Sequence, residues 1–221
     1  MRIALLGGTG DIGEGLALRF AHDTDHEILI GSRDPEKARD SVEEYEKLLE
    51  GRDVEASIKG FTNEMATDRA DVVILSVPPY YAGDTVETVA SKLDKDTILV
   101  TPAVGMKGDE DGMHYHPPSA GSVTELVASR APDETPVVGA FHNLAAGELS
   151  NLDHDLDLDT LVVGEGNAKQ TVTSLASEID GLRVLDAGPL ANAAEVESIT
   201  PLVINIARHN EELHDVGVKF K

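Results

Sequence analysis

Apolar residues in this chain fall into short continuous runs separated by amphipathic stretches, the pattern of buried parallel strands joined by crossover helices. Arg2–Leu6 reads as the first strand, Leu16–Ala21 as part of a helix, and Glu27–Ile30 as the second strand. Pro35–Glu50 carries Ala38, Val42, Tyr45 and Leu49 at helical spacing. Val54–Ile58 predicts a short third strand near an edge, and Asn63–Ala70 a short helix. Val72–Val77 is a continuous apolar run, Tyr80–Leu93 a helix, and Thr97–Thr101 a fifth strand. Gly105–Gly121, with four glycines and two prolines, reads as a long surface loop, followed by a helix over Ser122–Ala131 and a strand over Pro136–Phe141. Asn151–Asp159 alternates Leu with Asp and His and predicts a solvated acidic stretch. Leu161–Val163 and Arg183–Asp186 are short strands around a helix over Ala168–Ile179. Val196–Ala207 is a long apolar helix that Pro201 should kink. Ile199, Leu202, Val203, Ile204 and Ile206 leave it little polar face, so it should be buried against another subunit or a cofactor cleft. The alternation of strand and helix predicts an α/β fold: a Rossmann-type, doubly wound, mostly parallel sheet over residues 1–150, with a smaller C-terminal portion over 151–221.

The turn after the first strand carries the first chemistry. Gly7-Gly8-Thr9-Gly10-Asp11-Ile12-Gly13 contains G-x-G-x-x-G at Gly8, Gly10 and Gly13, between a strand and a helix. In that setting the first glycine permits a tight turn, the second lets backbone approach a pyrophosphate, and the third lets helix and strand pack closely. The helix N-terminus adds free N–H groups and partial positive charge. At the end of the second strand, where NAD-specific folds place an acidic residue, stand Gly31, Ser32 and Arg33, with Lys37 one turn into the next helix. A hydroxyl and two cations suit a 2′-phosphate dianion, which favours NADP over NAD; the plainer reading is two ordinary surface cations. Ser76-Val77-Pro78 ends the fourth strand at the ligand side of such a sheet and is a candidate wall for ribose and nicotinamide.

Composition narrows the partners. The 221 residues include 41 acidic and 18 basic side chains, for a formal net charge of −23. Nucleic acid and anionic membrane surfaces are therefore disfavoured partners. Charge of this sign and size resembles the solvated surface of a protein from a high-salt, halophilic cytoplasm, where salt screens self-repulsion. There is no Cys, which excludes disulfides, thiolate metal sites and Cys nucleophiles. His114 and His116 with Asp109 and Asp111 lack supported ligand spacing, so no metal site is assigned. With no signal-like or membrane-length segment, a cytoplasmic location is expected.

Four stretches together resemble one family, the archaeal F420-dependent NADP oxidoreductases: GGTGDIGEGLALR at Gly7–Arg19, IGSR with Lys37, AFHNLAA at Ala140–Ala146, and EIDGLRVLDAGPLANAAEVESITPLVINI at Glu178–Ile206. The likeness covers essentially the whole chain. It implies a Rossmann-type NADP domain, a homodimer or higher homo-oligomer, and hydride exchange between NADPH and the deazaflavin coenzyme F420 stacked in one cleft. By position, Thr9, Gly10, Asp11 and Ile12 resemble the pyrophosphate turn, and Ser32, Arg33 and Lys37 the 2′-phosphate clamp. Val77, Val104 and Ala146 look like nicotinamide-side contacts. His142, Asn143 and Leu144 look like the floor where the two rings meet, and Leu202 and Ile206 would approach the deazaflavin. Such a reaction needs positioning and exclusion of water more than protein acids or bases. No catalytic residue is therefore assigned, and His142 is the one candidate worth testing. Alternatives are an NADPH-dependent reductase of FMN, FAD or an imine, and a non-catalytic NADP(H)-sensing regulator. A short-chain-type reductase is disfavoured, because none of Tyr45, Tyr80, Tyr81 or Tyr115 has a Lys four residues on.

Overall fold

A computed structural model describes all residues, 1–221. The first strand, β1 (Arg2–Leu6), is buried from Ile3 to Leu6, and it leads through the glycine turn into α1 (Asp11–Asp23). Then come β2 (Glu27–Ser32), α2 (Pro35–Glu50), β3 (Ser57–Thr62), α3 (Asn63–Thr67), β4 (Val72–Leu75), α4 (Pro79–Val89) and β5 (Ile98–Thr101). A hairpin of β6 (Met106–Gly108) and β7 (Met113–Tyr115) precedes α5 (Val123–Arg130), β8 (Val137–Gly139) and α6 (Ala146–Ser150). The chain ends with β9 (Leu158–Val162), α7 (Gly166–Ala176), β10 (Leu182–Asp186), α8 (Ala193–Glu197), α9 (Ile199–His209) and an extended tail.

Six parallel strands form the main sheet in the order β3-β2-β1-β4-β5-β8. This is the doubly wound topology that the apolar runs predict, with a switch point between β1 and β4. The sheet carries apolar clusters on both faces. One, of 30 residues, runs from Leu16, Phe20 and Tyr45 across to Leu152, Leu156, Val172 and Leu175, so the main core continues past residue 150. The other packs α3, α4 and α5 against the opposite face. β9 and β10 form a separate parallel pair, tied to the main sheet by the bridge Gly139–Val163. No helix is long and apolar enough to cross a membrane.

Several expected elements are corrected. The third strand is Ser57–Thr62 rather than Val54–Ile58, in register with Glu27–Ser32. A Cβ on Gly60 would lie 2.9 Å from the Ala38 carbonyl, so close approach to α2 selects that stretch, while Val54 and Ala56 pack on the core from the connection. The expected loop Gly105–Gly121 contains the β6–β7 hairpin, held to α9 by Asn205, which donates to the Met113 carbonyl and accepts from its N–H at 2.8 Å each. The expected acidic stretch Asn151–Asp159 turns its leucines inward: Leu152 and Leu156 are core residues, and Asp159 is fully buried in β9. Arg183 grips Asp159 with Nε at 2.8 Å and Nη2 at 2.6 Å, which holds its carboxyl below the usual range. The expected kinked helix is two helices that meet at Ser198. Pro201 lies in the first turn of α9, where no N–H is needed, so it starts a helix rather than bending one.

Candidate cofactor cleft

Two cavities open at the carboxyl ends of the strands, and both are walled by Gly10, Ser76, Val77 and Pro78. The first, about 790 Å³, is polar and is lined by Thr9, Ser32, Arg33, Asp34, Lys37, Asn63 and Tyr81 among others. The second, about 670 Å³, is mostly apolar and is lined by Ile12, Val104, Met106, Phe141 to Ala146, Thr200, Val203, Ile204 and Ala207 among others.

At the shared wall, α1 begins at Gly10 in extended conformation with no side-chain cap. The Asp11 and Ile12 N–H groups have no acceptor within the protein. A Cβ on Gly10 would meet only the Gly7 carbonyl, at 3.5 Å, so its approach to the cavity is open. Free N–H groups at the start of a 13-residue helix, with open backbone beside them, fit a pyrophosphate. Gly8 and Gly13 serve the turn instead of lining a cavity. A Cβ on Gly13 would lie 2.6 Å from the Gly7 carbonyl oxygen and from Gly8 Cα, and one on Gly8 would lie 2.9 Å from the Leu5 carbonyl oxygen. The buried Tyr45 hydroxyl donates to the Gly8 carbonyl at 2.8 Å and braces the turn from α2.

In the polar cavity, Ser32 ends β2. Its Oγ accepts from the Asp34 N–H at 3.2 Å, which leaves its own O–H free to donate. Asp34 caps α2 through its bond from the Glu36 N–H at 3.0 Å, with Pro35 at the first helical position, and this places Lys37 toward the same space. Gly31 permits the packing here: a Cβ would lie 2.7 Å from Leu6 and 3.0 Å from Asn63 Oδ1.

The apolar cavity is floored by the segment after β8. Phe141 adopts φ +66°, a left-handed conformation costly for an aromatic residue, and packs edge-on against Phe20 with centroids 6.1 Å apart. The strand therefore stops at Gly139 rather than continuing through Phe141. Beyond it, the side chains of His142 and Asn143 turn away from solvent. Asn143 donates to the Asp159 carbonyl at 2.6 Å. The His142 imidazole is fully buried, which pushes its pKa down to about 3 and keeps it neutral. Thr124 Oγ donates to Glu197 at 2.9 Å, so His142 Nε2, 3.3 Å from the same oxygen, is the protonated nitrogen; Nδ1 has no partner. Glu197 also accepts from the Val123 and Thr124 N–H groups at 3.0 and 2.9 Å and from Tyr115 at 3.1 Å, while burial pushes its carboxyl above the usual range.

Of the residues singled out in the sequence, Gly10, Asp11, Ile12, Val77, Val104, His142, Asn143, Leu144 and Ala146 line the apolar cavity. Thr9, Gly10, Ser32, Arg33, Lys37 and Val77 line the polar one. Leu202 and Ile206 line neither. They face outward, and the inward face of α9 is Thr200, Val203, Ile204 and Ala207. The apolar character of α9 was visible in sequence, but its rotation was not, because nearly every position is apolar. Sequence reasoning also missed Met106, Tyr81 and the tail residues Asp215 and Val216, which no local motif marks.

Residues 2–105 match the family described as NADP oxidoreductase, coenzyme F420-dependent. A protein of Methanocaldococcus jannaschii named F420-dependent NADP reductase is 41% identical over 210 residues, covering 93% of this chain and 92% of that protein. A protein of the same name from Methanothermobacter thermautotrophicus is 37% identical over 226 residues, covering 100% and 94%. A solved structure from Arthrobacter sp. FB24 shares the fold with a TM-score of 0.81 at 22% identity, covering 100% of this chain and 99% of that one. With the near-full-length relatives above 30% identity and the fold and glycine turn in place, this chain belongs to the F420-dependent NADP reductase family.

Proposed function

We propose that this protein transfers a hydride between NADP(H) and coenzyme F420, the nicotinamide and the deazaflavin stacked directly in the apolar one of its two adjoining cavities. The observation that carries the reading is the adjacency itself. A polar cavity with Ser32, Arg33 and Lys37 and an apolar cavity under α9 meet at Gly10, Ser76, Val77 and Pro78. A dinucleotide whose pyrophosphate lies on the α1 N-terminus has its phosphorylated ribose on one side of that wall and its nicotinamide on the other.

Each part of the chain then has a task. Ser32, Arg33 and Lys37 hold the 2′-phosphate through charge-assisted bonds. The N–H groups of Asp11 and Ile12 meet the pyrophosphate. Val77, Val104 and Ala146 flank the nicotinamide. Leu144, Val203 and Ile204 keep water from the reacting face, and the segment at His142 and Asn143 supplies a rigid floor. When both coenzymes are bound, the dihydronicotinamide supplies a hydride and the deazaflavin accepts it together with one proton from solvent. The His142 side chain, neutral and without solvent exposure, is assigned no part in that proton's movement.

The outward face of α9, with Leu202 57% and Ile206 37% exposed, supports a homo-oligomer packed there. The excess of 41 acidic over 18 basic residues supports operation at high salt.

One assay tests the function. Protein, NADPH and F420 are mixed in concentrated KCl and the deazaflavin absorbance is followed, with FMN as control acceptor. Bleaching with F420 alone is expected. Bleaching with FMN alone contradicts the assignment of the acceptor, and binding of NADPH with no oxidation makes the chain a sensor instead.

A further inference from the structure

The Arg33 guanidinium lies over the ring of Tyr81, 5.5 Å from its centroid. The two residues come from separate elements. Arg33 follows β2, and Tyr81 stands in the first turn of α4, which Pro79 starts just after β4. β2 and β4 flank β1 in the sheet, so the pair faces across the polar cavity above the glycine turn. Tyr80 packs edge-on beside Tyr81, with centroids 4.6 Å apart, and steadies it from within the same helix.

A guanidinium resting on a ring uses its flat face and leaves its N–H donors, which lie in its edge, available. Nearly all the free-standing freedom of a long Arg side chain must otherwise be surrendered when its ligand arrives.

We propose that Tyr81 is a positioning residue for nucleotide selectivity: it holds the Arg33 fork over the polar cavity, ready for the phosphate on the 2′-oxygen of the adenosine ribose. This rests on the NADP reading above. The competing account is that Tyr81 touches the adenine itself. That contact would be shared by phosphorylated and unphosphorylated nucleotides, whereas the positioning role serves only the phosphorylated one.

Calorimetric titration with adenosine 2′,5′-bisphosphate and with 5′-AMP separates these accounts without reference to turnover. For Tyr81→Leu, affinity for the bisphosphate should fall about threefold, the scale of an exposed cation–π contact, with AMP binding unchanged. Tyr81→Phe should keep the wild-type preference, because the ring is retained. In an Arg33→Ala background, Tyr81→Leu should have no further effect. Equal weakening of both nucleotides, or an undiminished preference in Tyr81→Leu, overturns the inference while leaving the NADP reading intact. A wild-type protein that binds the two nucleotides equally overturns the NADP reading and the inference with it. Full loss of binding in Tyr81→Leu but not in Tyr81→Phe, with unfolding in circular dichroism, also counts against a local positioning role.

Discussion

The two cavities on either side of Gly10 and Ser76 are built in opposite ways. The charged cluster of the polar one is local: Ser32, Arg33 and Lys37 lie within six residues, at the end of one strand and the start of one helix. The apolar one is assembled from afar, with Ile12, Val104, Leu144 and Val203 brought together from both ends of the chain. Recognition of a charged phosphate needs a few donors at one point. A dry face for two large rings needs walls on all sides, and no short segment can supply them.

The largest way to break this contrast is at the clamp. Arg33→Ala with Lys37→Ala should raise the KM for NADPH by about a hundredfold, since each charge-assisted bond is worth about 1.5–3 kcal/mol, and leave the KM for F420 unchanged. Steady-state kinetics with each coenzyme varied in turn checks the split. A smaller effect with the opposite selectivity is expected from Ile204→Asp. A carboxylate in the apolar cavity should raise the KM for F420 about tenfold or more, while affinity for adenosine 2′,5′-bisphosphate is retained. If the two variants affect both coenzymes alike, the cavities are not functionally separate.

His142 sharpens the comparison from the floor of the apolar cavity. Its ring is sealed in, so His142→Ala should keep kcat within about tenfold, near 1.4 kcal/mol. Loss of turnover with both coenzymes still bound would make it catalytic. Its burial also predicts a pH signature of stability. The unfolded chain protonates this His below about 6.5, whereas the folded chain holds it neutral down to about 3. The unfolded state therefore binds more protons in that window, and stability should fall with decreasing pH by about 1.4 kcal/mol per unit. Glu197, whose pKa is raised, contributes the opposite slope above the usual carboxylate range. Comparing urea midpoints of wild type and His142→Phe between pH 4 and 6 isolates the His142 part; the variant should show the shallower slope. The smallest expected effect is that of salt. With a net charge of −23, unfolding midpoints should rise steadily as KCl increases and the Debye length shortens from about 10 Å at 0.1 M to about 3 Å at 1 M.

The same contrast governs what could be read from the residues alone. The doubly wound parallel sheet, the glycine turn and the grouping of Ser32, Arg33 and Lys37 at one cavity were legible, because each depends on an apolar run or on a few neighbouring residues. The third strand was misplaced because Ser57–Thr62 reads as polar in isolation, and only its pairing with β2 and the glycine contact to Ala38 select it. Asp159 passed for a solvated acid because its partner, Arg183, lies 24 residues away. The phase of α9 was not legible, because a helix apolar on most sides gives none; Leu202 and Ile206 lie outside the cavity lining. The left-handed Phe141, which ends β8 and floors the cleft, has no sequence signal at all.

The central claim is that the apolar cavity holds the two rings in direct contact, so that hydrogen passes between them without meeting solvent. NADPH carrying deuterium at the transferred position of its nicotinamide ring, incubated with F420 and the protein in ordinary water, tests this directly. The account predicts that mass spectrometry of the reduced deazaflavin finds one deuterium per molecule. Appearance of the label in the water, with unlabelled product, would contradict it.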